Sequence, residues 1–153
     1  MKKTAVFPGS FDPITKGHEA IINRSTQIFD KVIIAIGENS KKKYLFDIEK
    51  RENWIKQTFP ENSKIDIQVY SGLTVDFCLN NKANFIVRGL RSSFDFEYEQ
   101  AIALTNKKLA PSIETVMLFA EPKYSMVSSS IVRDIINNKG NAEQFLPDAI
   151  KID

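Results

Sequence analysis

The segment that decides the fold comprises residues 5–18, AVFPGSFDPITKGH. It starts with a short apolar run, which predicts a buried strand, and it ends where a pattern of helical period begins near Gly17. Gly9 and Gly17 allow the backbone to approach a ligand closely, and a helix that starts here turns its free N–H groups toward the loop. Because the N-terminus of a helix also carries partial positive charge, we predict a phosphate site in this loop.

The alternation of strand and helix continues along the chain. Further strands are predicted at residues 32–36, 65–70, 85–87 and 115–119, which are rich in β-branched or aromatic residues. Helices are predicted at residues 17–29, from the N-cap Asp47 through Phe59, and at residues 74–81. A fifth helix should follow the serines at 128–130 and end at residues 138–140, NKG. The clearest helix, the fourth, is predicted from one continuous stripe of Phe94, Tyr98, Ala101, Ile102, Thr105 and Leu109.

This pattern predicts an α/β fold. Alternating strands and helices imply right-handed crossovers and a Rossmann-like, doubly wound parallel sheet of five strands with helices on both faces. A single domain over residues 1–153 suits the length, because two full domains would be cramped. In such sheets ligands bind beyond the carboxyl ends of the strands, where the strand order reverses.

Composition excludes several classes of protein. The net charge of +2 is too small to indicate a nucleic-acid or membrane partner, so an anionic substrate must be bound by local clusters of charge. No run approaches the ~20 apolar residues of a membrane span, and the apolar start is too short for a signal peptide. The single cysteine, Cys78, excludes an intrachain disulfide and is expected to be buried. These features predict a reduced, cytoplasmic protein.

Several basic or hydroxyl-bearing segments are candidates for phosphate binding. Residues 88–91, RGLR, follow the fourth strand, and their two guanidinium groups could form forked hydrogen bonds with phosphate oxygens. Taken in isolation, two such arginines are more often a solvated turn, and the lysines at 41–43 are more often a hydrated charge run. The serines at 128–130 provide a helix N-cap and hydroxyls that can also bind phosphate. By position alone, the sole histidine, His18, is as often a packing residue as a functional one.

Together, residues 9–13, GSFDP, and 15–18, TKGH, resemble the signature of the nucleotidyltransferase superfamily. That superfamily normally carries a His-x-Gly-His motif, and the version with Thr first resembles the bacterial phosphopantetheine adenylyltransferases. Residues 40–43, 88–91, 95–99, 128–130 and 145–147 fall in the order and spacing of that family, so the resemblance covers essentially the whole chain. One departure is Tyr44, which stands where the family usually has proline; it concerns the shape of the loop that carries Lys42, not its charge.

The resemblance implies one nucleotidyltransferase domain that transfers the adenylyl group of ATP to 4′-phosphopantetheine in coenzyme A biosynthesis, giving dephospho-coenzyme A and pyrophosphate. It also implies a cytoplasmic homohexamer. Mg²⁺ is expected with ATP, because the phosphate charge needs neutralising, and no metal ligand is assigned on the protein.

The resemblance further implies roles for individual residues. His18 is implied as the transition-state stabiliser, with Lys42 as a second catalytic residue. Acceptor contacts are implied for Ser10, Lys42, Thr74 and Arg88. The implied ATP contacts are Ser10, Phe11, His18, Gly89, Leu90, Arg91, Glu99, Tyr124, Ser125, Met126, Val127, Ser128, Ser129 and Ser130.

Two alternatives stay open. The first is a nucleotidyltransferase that uses nicotinamide mononucleotide or a small alcohol phosphate; Thr15 in place of a first histidine and the three serines at 128–130 argue against it. The second is a catalytically idle nucleotide sensor on the same fold, since fold does not fix function. The intact His18 and the full set of phosphate-binding residues argue against that alternative.

Overall fold

Five parallel strands form one sheet in the computed structural model, which describes residues 1–153. They are β1 (Thr4–Gly9), β2 (Lys31–Gly37), β3 (Ile65–Tyr70), β4 (Phe85–Leu90) and β5 (Glu114–Phe119). Their order across the sheet is β3-β2-β1-β4-β5, and every neighbouring pair is parallel. All five predicted strands are confirmed, and with them the α/β fold class.

Five α-helices accompany the strands: α1 (Lys16–Ile28), α2 (Ile48–Thr58), α3 (Thr74–Asn80), α4 (Ser93–Leu109) and α5 (Ser129–Asn137). They occur where the sequence predicts them. Four of them start at a polar N-cap whose side chain accepts a hydrogen bond from a backbone N–H of the first turn; these caps are Thr15, Asp47, Ser92 and Ser128. No helix is long and apolar enough to cross a membrane.

The sheet separates two apolar clusters, because successive side chains of a strand point to opposite faces. Along β2, for example, Ile34 belongs to the larger cluster and Ile33 to the smaller one. Side chains from α1, α2 and α5 join the larger cluster, and side chains from α3 join the smaller one. Helices therefore cover both faces, as the doubly wound prediction requires. Cys78 is buried in the smaller cluster, and burial raises the pKa of its thiol to about 12.

The apolar stripe of α4 does not pack on the sheet. Phe94, Tyr98 and Leu109 are 82%, 68% and 57% exposed. The face that turns inward is polar or small and consists of Asp95, Glu99, Ala103 and Asn106. The periodicity therefore predicts the helix correctly but does not identify the face that packs within the chain.

The strand order reverses at β1. The strands β2 and β3 lie on one side of it, and β4 and β5 lie on the other. The loops that follow β1 and β4 therefore leave the sheet at the crevice where folds of this kind bind ligands. The ends of β1 and β4, with the loops that follow them and the start of α1, carry residues 9–18 and 88–91, the two segments with the clearest phosphate-binding pattern.

Candidate active site

Two cavities open beyond the carboxyl ends of β1 and β4. The first has a volume of about 830 Å³ and is bounded by the loops after β1, β2 and β3 and by α4. The second, of about 340 Å³, is bounded by the loop after β1, the start of α1 and the segment around the start of α5. The two cavities adjoin, because both are lined by Pro8, Gly9, Ser10, Lys42, Arg88 and Glu99. We refer to these six residues as the shared wall.

Close packing between Gly9 and Phe11 shapes the loop after β1. The backbone of Phe11 adopts φ 48°, in the left-handed region that is costly for a bulky residue. A Cβ at Gly9 would lie only 3.1 Å from the Phe11 ring, so this ring takes the space that glycine leaves. The same ring lies 5.0 Å from the imidazole of His18, measured between centroids. The strained turn therefore brings the loop against the start of α1.

His18 is held in one orientation by Thr15. The Thr15 hydroxyl accepts a hydrogen bond from the His18 N–H at 3.3 Å, and the Thr15 N–H donates to Nδ1 of His18 at 3.0 Å. Because Nδ1 accepts this hydrogen bond, a neutral imidazole carries its proton on Nε2. His18 lines the second cavity, so the donor that it can offer a ligand there is Nε2–H.

The surroundings of His18 keep it uncharged. Burial, followed by the positive charges of Arg88 and Arg91, lowers the pKa of His18 from 6.5 to about 4. At neutral pH the side chain is therefore a hydrogen-bond donor without a charge, and it is a weak base. This state suits a group that stabilises charge on a ligand by hydrogen bonding rather than one that removes a proton.

Arg88 is fixed at the shared wall by a carboxylate from α4. Its Nε and Nη2 donate to the two carboxylate oxygens of Glu99 at 2.8 and 2.7 Å, and its Nη1 donates to the Pro8 carbonyl at 2.6 Å. Glu99 is only 6% exposed, and a forked pair of this kind sets the guanidinium plane. Glu99 therefore orients Arg88 between the two cavities.

Arg91 is anchored to the first turn of α4 in a similar way. Its Nε and Nη2 donate to the Asp95 carboxylate at 2.9 and 3.1 Å, and its Nη1 donates to the Val127 carbonyl at 3.3 Å. Burial alone would raise the pKa of Asp95, but the hydrogen bonds and charge of Arg91 outweigh it and hold that pKa below its usual range. Arg91 thus joins the loop after β4 to the segment before α5 at the second cavity.

Lys42 reaches the shared wall from the loop after β2. Its Nζ donates to the Ser10 hydroxyl at 3.0 Å, although the rest of the lysine is exposed. Thr74 is the one predicted acceptor contact outside the shared wall; it lines the first cavity, and its hydroxyl lies 2.8 Å from the Tyr70 hydroxyl. The predicted acceptor contacts therefore all face the first cavity.

The serines at the start of α5 line the second cavity. Ser128 is the N-cap and accepts a hydrogen bond from the Ile131 N–H at 3.2 Å, which confirms that one serine of the run caps the helix. The Ser129 hydroxyl donates to the Pro13 carbonyl at 2.8 Å, tying α5 to the loop after β1. These contacts place hydroxyls and the free N–H groups of α5 at one end of the second cavity.

Three predicted site residues lie outside the lining of both cavities. Leu90 is buried in the sheet, the Ser125 hydroxyl donates to the Pro122 carbonyl, and Met126 is 61% exposed. All the other predicted site residues line one cavity or both.

Sequence reasoning does not single out Arg51 or Arg133. Arg133 lines the second cavity and donates to the Asp12 carbonyl and the Ser130 hydroxyl at 2.9 and 3.1 Å. Its spacing from Ser130 is i to i+3 on one helix face, a signal that could have identified it. Arg51 is 2% exposed and lies beneath the loop of Lys42. No sequence signal identifies it, because an arginine in a polar helix is normally solvated.

Comparison with known proteins agrees with this architecture. A family model described as cytidylyltransferase-like matches residues 6–135. A bifunctional NMN adenylyltransferase/ADP ribose pyrophosphatase from Francisella tularensis, complexed with AMP and Mn ion, superposes with a TM-score of 0.69 at 21% identity, covering 95% of this chain and 44% of that one. Plasmodium falciparum nicotinic acid mononucleotide adenylyltransferase, complexed with NaAD, also gives 0.69, at 15% identity over 95% of this chain and 91% of its own. Fold and site thus define a nucleotidyltransferase of the cytidylyltransferase-like class.

Sequence relatives narrow this class. The phosphopantetheine adenylyltransferases of Flavobacterium johnsoniae and Flavobacterium psychrophilum are 50% and 49% identical over 98% of this chain and 98% and 99% of their own length. That of Bacteroides thetaiotaomicron is 45% identical over 98% of this chain and 99% of its own. The chain belongs to the phosphopantetheine adenylyltransferase family, as its motifs indicate.

Proposed function

We propose that this chain transfers the adenylyl group of ATP to 4′-phosphopantetheine, giving dephospho-coenzyme A and pyrophosphate in coenzyme A biosynthesis. The observation that carries the proposal is the pair of cavities that adjoin at Ser10, Lys42 and Arg88. Two phosphate-bearing substrates can each fill one cavity and meet at this cationic wall. Relatives at 45–50% identity that are named for this activity support the choice of acceptor.

ATP is assigned to the second cavity. Arg91, Arg133 and the start of α5 provide charge and N–H groups for its β- and γ-phosphates. His18, which feels the charge of Arg88 in the shared wall, is assigned to the α-phosphate. The acceptor is assigned to the first cavity. Beyond the shared wall the lining of that cavity is largely uncharged and includes Tyr98 and Asn106, which suits an uncharged pantetheine chain whose amides need hydrogen-bond partners.

The reaction needs no nucleophile from the protein. An oxygen of the acceptor phosphate attacks the α-phosphorus of ATP and forms a new P–O bond. The bond from the α-phosphorus to the oxygen bridging to the β-phosphate breaks, and pyrophosphate leaves with that electron pair. Because the acceptor phosphate is already ionised near neutral pH, no general base is required. Catalysis then consists of aligning two polyanions and stabilising charge on the group in transfer.

The polar residues at the shared wall and the neighbouring His18 have distinct parts in this scheme. Nε2–H of His18 donates to an oxygen of the α-phosphate as charge on it grows. Lys42, held against Ser10, faces the same phosphate and the acceptor phosphate. Arg88, oriented by Glu99, holds the acceptor phosphate from the other side.

Mg²⁺ is proposed to enter with ATP. No group of three or more His, Cys, Asp or Glu side chains lies close enough together to hold a metal, and the site carboxylates Asp95 and Glu99 are each engaged by an arginine. These residues do not fit a metal site built from protein ligands alone. The ion would be coordinated mainly by ATP oxygens, where it neutralises phosphate charge.

A cytoplasmic location and a homohexamer are further parts of the proposal. The location is supported by the single free and buried cysteine, which requires no oxidising compartment. The assembly is supported by the family and by the exposed apolar stripe of α4.

An assay of pyrophosphate release over a panel of acceptors tests the proposed activity. With ATP and Mg²⁺, 4′-phosphopantetheine should support turnover, whereas nicotinamide mononucleotide and glycerol phosphate should not. Comparable turnover with either of the other acceptors would contradict the choice of acceptor. If ATP bound but no acceptor reacted, the result would favour the alternative of a nucleotide sensor.

A further inference from the structure

Arg51 is a buried cation without a carboxylate partner. It is 2% exposed, and its three hydrogen bonds go to backbone carbonyls: from Nε to Phe46 at 3.1 Å, and from Nη1 to Ser10 at 2.8 Å and Gly37 at 3.3 Å. Burying an unpaired charge is costly, so a guanidinium persists here only because these carbonyls satisfy it. The three carbonyls belong to the loop after β1, the end of β2 and the loop after β2. Arg51 therefore joins the segments that bring Ser10 and Lys42 together.

Tyr44 covers the guanidinium of Arg51. Its ring centroid lies 4.0 Å from Cζ of Arg51 and 5.4 Å from Nζ of Lys42, so one aromatic ring contacts both cations. Its hydroxyl accepts a hydrogen bond from the Asn39 N–H at 2.9 Å and lies 3.4 Å from the Gly37 carbonyl. The ring and the hydroxyl thus fix the loop on both sides of Lys42.

Asp12 holds the same loop at its other end. Its two carboxylate oxygens accept hydrogen bonds from the N–H groups of Leu45 and Phe46, each at 2.9 Å, and Asp12 is 3% exposed. The loop at residues 38–47 is therefore held at one end by Tyr44 and Arg51 and at the other by Asp12 of the loop after β1, while Lys42 between them is exposed. Because the backbone of this loop is fixed, Nζ of Lys42 can move only within a small volume, and the Ser10 hydroxyl lies within that volume.

We propose that Tyr44 and Arg51 are positioning residues that act through Lys42, holding its Nζ against Ser10 at the shared wall. This inference rests on the proposed adenylyl transfer, in which Lys42 faces the reacting phosphates. Arg51 lines neither cavity, whereas Tyr44 also borders the first cavity, so KM for the acceptor is measured beside kcat in every Tyr44 variant. Tyr44 supplies by ring and hydroxyl contacts the rigidity that a proline would supply at this position through its backbone.

A double-mutant cycle between Tyr44→Leu and Lys42→Ala tests the proposal, because it separates action through Lys42 from a general effect on structure. In the wild-type background Tyr44→Leu should lower kcat about tenfold, which corresponds to ~1.4 kcal/mol, and leave KM for ATP within about twofold. In the Lys42→Ala background Tyr44→Leu should change kcat by less than about twofold. Sensitive single-turnover detection of labelled product keeps the slow variants measurable.

Companion variants separate the ring from the hydroxyl. Tyr44→Phe keeps the ring over Arg51 and should lose about threefold in kcat, less than Tyr44→Leu. Arg51→Lys keeps the charge but not the forked geometry, and a folded Arg51→Lys variant should match Tyr44→Leu. Lys43→Ala, a change in the same loop that lines neither cavity, is the matched control and should retain wild-type kcat.

The outcomes are distinguishable. An equal loss in both backgrounds, or wild-type kcat in Tyr44→Leu, would overturn the positioning role. A fall in melting temperature that accounts for the whole loss of activity would do the same. Failure of the wild-type chain to release pyrophosphate would instead overturn the proposed function itself.

Discussion

His18 combines a fixed orientation with a fixed charge state. Nδ1 is occupied by the Thr15 N–H, and the lowered pKa leaves Nε2–H as an uncharged donor at the second cavity. If that donor stabilises charge that grows in the transition state, His18→Ala should lower kcat by roughly 10²–10³ and raise KM for ATP far less. Steady-state kinetics with both substrates varied, together with the melting temperature, provide the check.

Two other roles for His18 give different results. A packing histidine would change the melting temperature and spare kcat per folded molecule, and a contact made equally in the ground state would raise KM alone. If His18→Ala kept more than about a tenth of wild-type kcat, less than ~1.4 kcal/mol of barrier would depend on the ring, and His18 would have no catalytic role.

The same ring makes stability depend on pH. Its pKa is about 4 in the folded protein against 6.5 in the unfolded reference, so the unfolded chain binds the proton more readily. The contribution of His18 to stability is therefore complete above pH 6.5 and is lost as the pH falls toward 4. We expect the melting temperature of the wild type to fall more between pH 7 and pH 4.5 than that of His18→Gln. Because His18 is the only histidine, parallel curves for the two proteins would contradict this.

At the scale of elements, the junction of β4 and α4 links the phosphate site to the sheet. Arg91 follows β4, is paired with Asp95 in the first turn of α4, and reaches the segment before α5. Arg91→Ala should raise KM for ATP about 30-fold, the equivalent of a lost charge-assisted contact of about 2 kcal/mol. The fold should survive, because this arginine carries little of the core. Lys107→Ala, which removes an exposed cation of α4 that is paired with Glu114 of β5, is the control. An unfolded Arg91→Ala protein, or an unchanged KM, would contradict the assignment.

The strands and helices could be predicted because their signals are local. The run from Val32 to Ile36 is apolar throughout since the strand is covered on both faces, and Thr15, Asp47 and Ser128 mark helix starts by short-range hydrogen bonds. Most of the site residues that the motifs predict line one of the two cavities, but Leu90, Ser125 and Met126 lie outside both linings.

Features that depend on long-range contacts could not be predicted. The buried position of Arg51 follows from carbonyls up to 41 residues away in sequence. The tautomer of His18 is not predicted for a different reason: it depends on the detailed geometry of the local Thr15 cap, which the spacing of residues does not specify. The stripe of α4 gives the period of a helix, but the period alone does not say whether the partner of that face is the same chain or another.

For the whole molecule, the exposed stripe of α4 leaves apolar surface without a partner inside the chain. Phe94 is 82% exposed, and Phe119, at the end of the edge strand β5, is 75% exposed. Large apolar side chains exposed to this degree mark candidate interaction sites in soluble proteins. Within the proposed homohexamer Phe94 and Phe119 would be buried against another copy of the chain, while Tyr98 and the polar inner face of α4 line the cavities.

Sedimentation velocity tests this assembly. Six chains of 17.4 kDa should sediment as one species of about 104 kDa. Phe94→Glu should shift the protein to smaller species, because a buried, unpaired carboxylate at a contact between copies is costly. Phe94 lines neither cavity, so any loss of activity in this variant would come from the assembly and not from a lost ligand contact.

Ile28→Glu, which places the same charge at a half-exposed apolar position on α1, is the control and should leave the mass unchanged. A wild-type chain that sediments at 17.4 kDa at micromolar concentration would rule out the hexamer, and an unchanged mass for Phe94→Glu would exclude the α4 stripe as its contact surface.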